Sequence, residues 1–293
     1  MFLRLLALPR MAPVTGCNLP GNAPLVKKSP VTTDIRGQLV VLGSGTSVGV
    51  PVVGCGCAVC QGGDPRNQRT RCAVVMGLPG GNLLIDTPPD LRTQLLRERI
   101  GIVHSVLYTH GHADHIFGLD ELRLQQFYLG HPVPLYCEPV VEDRIRRSFD
   151  YAFDDPGTRH AGAIPQLEMH SISTDPFELL GSRVTPIRLQ HGPRFEALGF
   201  RVGDVAYCTD ANAIPAESWS RLEGLDVFIL DALRVRPHAT HFSLDEAVAV
   251  AERVGASHTY FTHMNHEVDH HATNDRLPAS MELAYDGLRI NLV

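Results

Sequence analysis

Long apolar runs are missing from this 293-residue chain. A helix that crosses a bilayer needs about 20 predominantly apolar residues, so no membrane-spanning segment is expected. Extended basic runs are missing as well. The densest cluster is Arg144-Ile145-Arg146-Arg147, which reads as a solvated helix face, and the net charge is −6. A chain that neutralises many phosphates carries a basic patch or stripe, so nucleic acid is not an expected partner. No internal repeat or low-complexity tract interrupts the sequence. The seven cysteines form an odd set, and three of them crowd together. That pattern argues against a disulfide framework and for thiols and metal in a reducing compartment, hence the cytoplasm. With 44% hydrophobic residues, the chain can bury one large core. Residues 1–36 stand apart. Arg4 and Arg10 break the apolar character of the start, so it is a poor secretory signal, and Val14-Thr15-Gly16-Cys17 resembles a lipoprotein cleavage site only faintly. The segment reads as a flexible extension, or as a start assigned too early with Met11 as the alternative, leaving one domain over 37–293.

What the sequence does contain is a dense ligand motif. His110-Gly111-His112-Ala113-Asp114-His115 packs three imidazoles and a carboxylate into six residues, directly after the apolar segment Ile102 to Tyr108. Such N and O donors suit zinc, manganese or iron. A hydrolytic two-metal centre needs about seven or eight protein ligands and open positions for water and substrate. Three later segments each end an apolar stretch on a ligand-type residue: Leu189-Gln190-His191, Val205 to Asp210, and His258 to His263. Asn82-Leu83-Leu84-Ile85-Asp86 does the same earlier. Short strands are predicted at Gln38–Leu42, Ala73–Met76, Leu83–Ile85, Val103–Tyr108, Val133–Tyr136, Val227–Leu230 and Leu288–Val293. Helices are predicted at Pro89–Arg99, Leu119–Tyr128, Val140–Phe149, near Pro215–Leu222, and over Ser243–Val254, where Ser243-Leu-Asp-Glu246 is a capping box. The glycine-rich Gly43-Ser-Gly-Thr-Ser47 is either a tight turn or a cradle whose amides approach an anion.

Taken in order, Asp86, His110/His112/Asp114/His115, His191, Asp210 and His263 resemble the five motifs of the metallo-β-lactamase-fold hydrolases, from about Gln38 onward. The resemblance implies an α/β (α+β) fold, an αββα sandwich of two mixed β-sheets with outer helices and a dinuclear site at its edge. His110, His112, His191 and Asp210 would then bind one catalytic cation. Asp114, His115, Asp210 and His263 would bind the other, with zinc or manganese as the expected metal and iron a third candidate. Asp86 would stand behind a ligating imidazole and orient it.

A second constellation is Cys55-Gly56-Cys57-Ala58-Val59-Cys60. Three thiolates need a fourth ligand to close a tetrahedral zinc site. His266, three positions after His263, supplies it best, and Cys72 is the competitor. The combination resembles the PhnP-type phosphodiesterases, which hydrolyse phosphoribosyl 1,2-cyclic phosphate. There a Cys-x-Cys-x-x-Cys insertion and a histidine beyond the last catalytic one hold structural zinc, matching Cys55, Cys57, Cys60 and His266. The family also carries a histidine that acts on the phosphate; His241 falls there, with His238 as understudy and helix capping as its plainer role. The expected chemistry is hydrolysis of a small cyclic phosphodiester, of that type or a 2′,3′-cyclic nucleotide, by metal-bound hydroxide. Asp114, Asp210 and His241 would be the catalytic groups. The expected partners are the small phosphodiester and a second copy of the chain in a homodimer, with no nucleic acid and no membrane. Two alternatives stand beside this: a ribonuclease Z-like RNA phosphodiesterase, for which the short interval from His191 to Asp210 leaves no room for a tRNA-gripping arm, and a non-catalytic metal-binding accessory protein. His104, His131, His160, His170, His270 and His271 carry no motif and are expected at the surface.

Overall fold

The computed structural model describes residues 30–153 and 162–292. Met11, Cys17 and the rest of the extension through residue 29 lie outside them, as does His160. In chain order the strands are β1 (Gln38–Gly43), β2 (Ala73–Leu78), β3 (Gly81–Ile85), β4 (Ser105–Leu107), β5 (Val133–Cys137), β6 (Leu167–Ser171) and β7 (Phe177–Leu179). There follow β8 (Ser182–His191), β9 (Phe195–Val202), β10 (Val205–Cys208), β11 (Val227–Asp231), β12 (His258–Thr262), β13 (Met281–Leu283) and β14 (Arg289–Asn291). They build two mixed seven-stranded sheets, ordered β14-β1-β2-β3-β4-β5-β6 and β13-β12-β11-β10-β9-β8-β7.

The side-chain alternation within each strand explains the layers. In β1, Leu39 and Val41 point between the sheets, where they meet Met76, Ile85, Phe200, Tyr207 and Ile229. Val40 and Leu42 point the other way, onto Leu91 and Leu95 of the helix Leu91–Glu98 and Ile145 of the helix Pro139–Ser148. On the far side, Ala206, Cys208, Phe228 and Leu230 pack under Ala247 and Ala251 of the helix Leu244–Val254. The result is the αββα sandwich. Strands covered on both faces read as continuous apolar runs, which is why β1, β2 and β11 are legible in the sequence.

Other elements depart from the expectations. Val103–Tyr108 shortens to β4, Leu119–Tyr128 divides into a 3-10 turn Leu119–Leu124 and a helix Gln125–Leu129, and Ala216–Leu222 is 3-10 throughout. The strand β9, which the sequence reading leaves out, pairs with β8 from Val184↔Val202 to His191↔Phe195. Its pattern is broken by Gly199, yet a Cβ there would lie 2.6 Å from Cys208 Sγ, so glycine is required by the close approach of the neighbouring strand. Residues just before 37 are part of the folded body: Ile35 is buried in the first core and Thr33 N donates to Arg99 O at 2.8 Å. Among the described residues no helix is long and apolar enough to cross a membrane.

The glycine-rich loop is a turn rather than an anion cradle at its first three amides. Ser44 N donates to Asp286 Oδ1 (2.9 Å), Gly45 N to Thr70 O (2.8 Å) and Thr46 N to Met264 O (3.1 Å). Met264 N returns a bond to Ser44 O (3.0 Å), so the loop is stitched to the segment that follows β12.

The capping box forms as the sequence implies: Ser243 Oγ accepts from Glu246 N (3.4 Å), and Ser243 N donates to Glu246 Oε2 (2.8 Å). Ser243→Ala is expected to lower stability by about 1 kcal/mol, read as a lower denaturant midpoint with unchanged slope. An unchanged midpoint would remove the cap from the account of this helix.

Candidate metal centre

The ends of six strands converge on one edge of the sandwich. β3 is followed by Asp86, β4 leads into the loop with His110 and His112, and β8 ends on His191. Beyond β10 comes Asp210, β11 ends on Asp231, and β12 is followed by His263. His112 caps the short helix Ala113–Ile116, which lifts Asp114 and His115 to the same place. Asp86, Asp210 and His263 have left-handed backbones, with φ of 66°, 53° and 61°. For non-glycine residues that conformation costs on the order of 1–3 kcal/mol each and persists only where the surroundings enforce it. It turns each side chain off its strand and into the site.

Asp210 divides the cluster. Its Oδ2 lies 3.7 Å from His110 Nε2 and 3.8 Å from His191 Nε2, and His191 Nε2 lies 3.2 Å from His112 Nδ1. Its Oδ1 lies 3.2 Å from His115 Nε2 and 3.3 Å from His263 Nε2. Asp114 Oδ2 joins this second set, 3.3 Å from His115 Nε2 and 3.6 Å from His263 Nε2. One carboxylate thus faces two separate groups of donors.

The outer nitrogens are anchored. His115 Nδ1 donates to Asp86 Oδ2 at 2.7 Å, and Asp86 also accepts from Thr109 N and Oγ1 at 2.9 and 2.8 Å. His191 Nδ1 donates to Thr240 O at 2.8 Å. Such bonds fix the tautomer and aim the remaining lone pair inward. Burial pushes His110 well below the ordinary imidazole value, and lowers His112 and His191, which keeps them as neutral donors. Burial opposes the Asp210 carboxylate, yet His263 and His115 outweigh it and hold it well below its usual range.

These residues fit divalent cations. Among the described residues His110, His115 and His263 each bury an Nε2 with no hydrogen-bond partner, a costly arrangement unless something else occupies the lone pair. The separations within each group run from 3.2 to 3.8 Å. They straddle the edge of a tetrahedron built on metal–ligand bonds of about 2.1 Å, which is about 3.4 Å.

His241 stands beside both groups. Its ring stacks on His263 (centroids 4.7 Å, 13°) and meets His191 edge-on at 4.8 Å. Its Nδ1 donates to Asp231 Oδ1 at 3.2 Å. In the metal-free chain burial opposes its charge, but Asp231 leads the carboxylates that raise it to about 9. Helix capping falls to Ser243, not to His241. Asp231 is the residue that sequence reading missed. It is fully buried, also accepts from Phe242 N at 3.1 Å, and lies 3.5 Å from His263 Nδ1. Its signal was available, because Val227-Phe-Ile-Leu-Asp231 ends on a carboxylate just as the strand before Asp86 does. His238 lies outside, its ring 5.3 Å from that of His241. His270 is a correction: it is buried at 3% exposure, with its backbone N donating to Asn67 Oδ1 at 3.0 Å. His104 is half-buried and accepts from Asn82 N at 2.9 Å.

The thiol cluster closes on His266. Its Nδ1 lies 3.1, 3.5 and 3.6 Å from the Sγ atoms of Cys55, Cys57 and Cys60, against a tetrahedral zinc edge of about 3.5 Å for mixed S and N ligands. The Cys60 amide, 3.5 Å from Cys57 Sγ, leads the bonds that pull the Cys57 thiol down to about 6. Cys72 is elsewhere, buried 3.3 Å from Thr262 Oγ1, and burial pushes its thiol far up.

Comparison with known proteins agrees with this architecture. The model of a beta-lactamase superfamily domain matches residues 81–264. A crystal structure described as a new diphosphatase from the PhnP family is 45% identical, covers 86% of this chain and 96% of that one, and superposes with a TM-score of 0.81. An octanoyltransferase of Porphyromonas gingivalis is 35% identical over 258 residues, 86% of this chain but 51% of that protein, so the chain spans about half the length of this relative. Zinc-bound PqqB from Methylobacterium extorquens, 21% identical with a TM-score of 0.69 over 87% of this chain and all of that one, shares the fold.

Two sets of substitutions test the ligand groups. Asp210→Ala is expected to lower bound metal well below that of His241→Ala, since Asp210 belongs to both donor groups and His241 to neither; an intact metal content in Asp210→Ala would refute the division. Cys57→Ser and His266→Ala are each expected to release one zinc and lower thermal stability with the other metals retained, because thiolate ligation is coupled to local folding. Cys72→Ser should retain that zinc. Loss of zinc from Cys72→Ser and not from His266→Ala would reassign the fourth ligand.

Proposed function

The chain belongs to the beta-lactamase superfamily, within its PhnP family, and from that premise we propose that it is a metal-dependent hydrolase of small phosphodiesters, cyclic ones foremost. The observation that carries the reading is the opposed pair of Asp210 oxygens, each 3.2–3.8 Å from the imidazole nitrogens of its own donor group. His110, His112, His191 and Asp210 Oδ2 would hold one cation, and Asp114, His115, His263 and Asp210 Oδ1 the other. Two such cations, zinc or manganese with iron as third candidate, supply an activated water and polarise phosphate oxygens. Cys55, Cys57, Cys60 and His266 would hold a structural zinc. The free thiols at six described cysteines suit a reducing compartment, for which we propose the cytoplasm.

The chain's own residues then divide the remaining work. Asp231 engages His241 Nδ1, leaving Nε2 as the nitrogen that serves the substrate. As the protonated imidazole, His241 stabilises charge on the phosphoryl oxygens or passes its proton to the departing alkoxide. A five-membered cyclic ester brings ring strain, so it suits a site whose contribution is mostly electrophilic. A cleft of about 260 Å³ lies on the His241 side, bordered by Thr46, Ser47 and His238.

The PhnP-family relative is described as a diphosphatase, which makes a linear diphosphate the second substrate class to test. The decisive screen presents bis(p-nitrophenyl) phosphate, cyclic ribose phosphates, 2′,3′-cyclic nucleotides, a linear dinucleoside diphosphate and pre-tRNA to the metal-loaded protein. Turnover of the small esters with pre-tRNA left uncut is expected, and His241→Ala should lower kcat by about 10²–10⁴ with metal content retained. Preferred cleavage of pre-tRNA would favour a ribonuclease Z-like role, and no hydrolysis of any ester would favour a metal-binding accessory role.

A further inference from the structure

The thiol cluster meets the candidate site at a second place. His266, which closes the cluster, also borders the cleft of about 260 Å³ beside His241, and so does Val52 from the loop after β1. Val52 is tied to the cluster through its backbone: its N donates to Cys60 Sγ at 3.3 Å, and its O accepts from Cys55 N at 3.0 Å. Two walls of one cleft are therefore joined through the same sulfurs, although none of the three cysteines borders the cleft.

The two walls are held very differently. On the His266 side the backbone is fixed at each step: Met264 N donates to Ser44 O at 3.0 Å, Asn265 N to Leu233 O at 2.8 Å, and the buried Arg69 donates from Nη1 to Asn265 O at 3.1 Å. On the Val52 side support ends at Val50, which exchanges two bonds of 2.8 Å with the Arg69 backbone. None of residues 51–59 is buried, and Val53 stands 98% exposed. A segment without apolar burial has little to offset the entropy of ordering it, so its position depends on what the cysteines grip. Ligation couples the order of such a loop to its metal, and His266 is the one ligand of the four that comes from the rigid wall.

The chemistry of the cleft shows what a fixed wall is for. Histidines are the only ionisable side chains on its border, and Thr46, Ser47, Val48, Val52 and Leu233 make up most of the rest. Its volume of about 260 Å³ falls below the roughly 300–1,000 Å³ of pockets that hold drug-sized ligands, which leaves room for an uncharged group of a single ring. As proton donor to the departing alkoxide, His241 marks this as the side on which the alcohol leaves. We propose that the thiol cluster is a specificity device: by clamping Val52 to His266 it sets the width of this cleft, and with it the size of the alcohol that departs. The inference rests on the phosphodiesterase reading and gives the cluster a task beyond ordering its own loop.

The test uses two esters with the same retained group, methyl p-nitrophenyl phosphate and methyl 4-methylumbelliferyl phosphate, whose departing rings differ in size. A misfit of one methylene is worth about 10–200-fold, so the metal-loaded wild type is expected to favour the smaller ring by about tenfold or more in kcat/KM. Cys57→Ser, with both donor groups of the edge loaded, should lose most of that preference through KM for the larger ester, while kcat for the smaller one changes little. Val52→Ala opens the wall directly and should relax the preference with zinc retained. Val53→Ala, outside the cleft, should leave it unchanged. Hydrogen exchange is a readout apart from turnover: the amides of residues 50–55 should be protected in the wild type and lose protection in Cys57→Ser. If Cys57→Ser loses zinc and protection but keeps the wild-type preference, the cluster orders only its own loop and the proposal is overturned. If Cys57→Ser does not fold, Val52→Ala decides, and a wild-type preference there overturns it equally. If the wild type cleaves neither ester, the hydrolytic reading fails; the proposal then stands if calorimetry shows the smaller ester bound more tightly and Val52→Ala abolishing the difference, and falls if it does not.

Discussion

A carboxylate at 2% exposure has given up its hydration, and the penalty for a buried ion remains several kcal/mol after relaxation unless opposite charge replaces the water. Asp210 is in that position, and Asp86, Asp114 and Asp231 share its surroundings. Around them stand His110, His115 and His263, whose inward Nε2 atoms meet no hydrogen bond among the described residues. A divalent cation at a point between each group of donors would resolve the whole set at once. The rest of the molecule is arranged so that those points exist: both sheets run their strands to the same edge, and strands far apart in sequence deliver one or two donors each.

That arrangement opposes ordinary backbone preference. Three donors or supports sit in left-handed conformations at strand ends, together costing on the order of 3–9 kcal/mol. The three apolar layers, two beneath helices and one between the sheets, offset this cost. Where the backbone is relaxed, as in β1 and β2, residues serve packing alone; the left-handed non-glycine residues away from the site are Arg99, which ends the helix Leu91–Glu98, and Leu180. Strain and chemistry coincide at Asp86, Asp210 and His263.

The same division explains what could be read from the sequence. Residues in the dense motif from His110 to His115 announce themselves because spacing on one loop is a local property. The doubly covered strands announce themselves through unbroken apolar runs. Asp231 carries the same strand-end signal as Asp86, but its partners, His241 and Phe242, become visible only in the folded chain. Strand β9 was hidden by Gly199, whose reason is a sulfur atom on the next strand. The cluster from Arg144 to Arg147 is the solvated helix face that its composition implies, with Ile145 alone turned into the core. His270, expected outside, is buried through a contact with Asn67, about 200 positions away in sequence.

The thiol cluster has one further consequence, which concerns the order in which a ribosome delivers it. Cys55 and His266 touch although they are separated by 211 positions. The three thiols therefore emerge long before their fourth partner, and only a chain synthesised through residue 266 can close the cluster. His263, needed by the catalytic groups, emerges three positions earlier, and the Met264 backbone bonds to the glycine-rich loop in between. A cation gathered by the thiols during synthesis would stay partly open to the cell's thiols and chelators until that moment. Closure of the cluster is thus a report that the last donor of the site edge has also been made, and chains interrupted before residue 263 would be born without either.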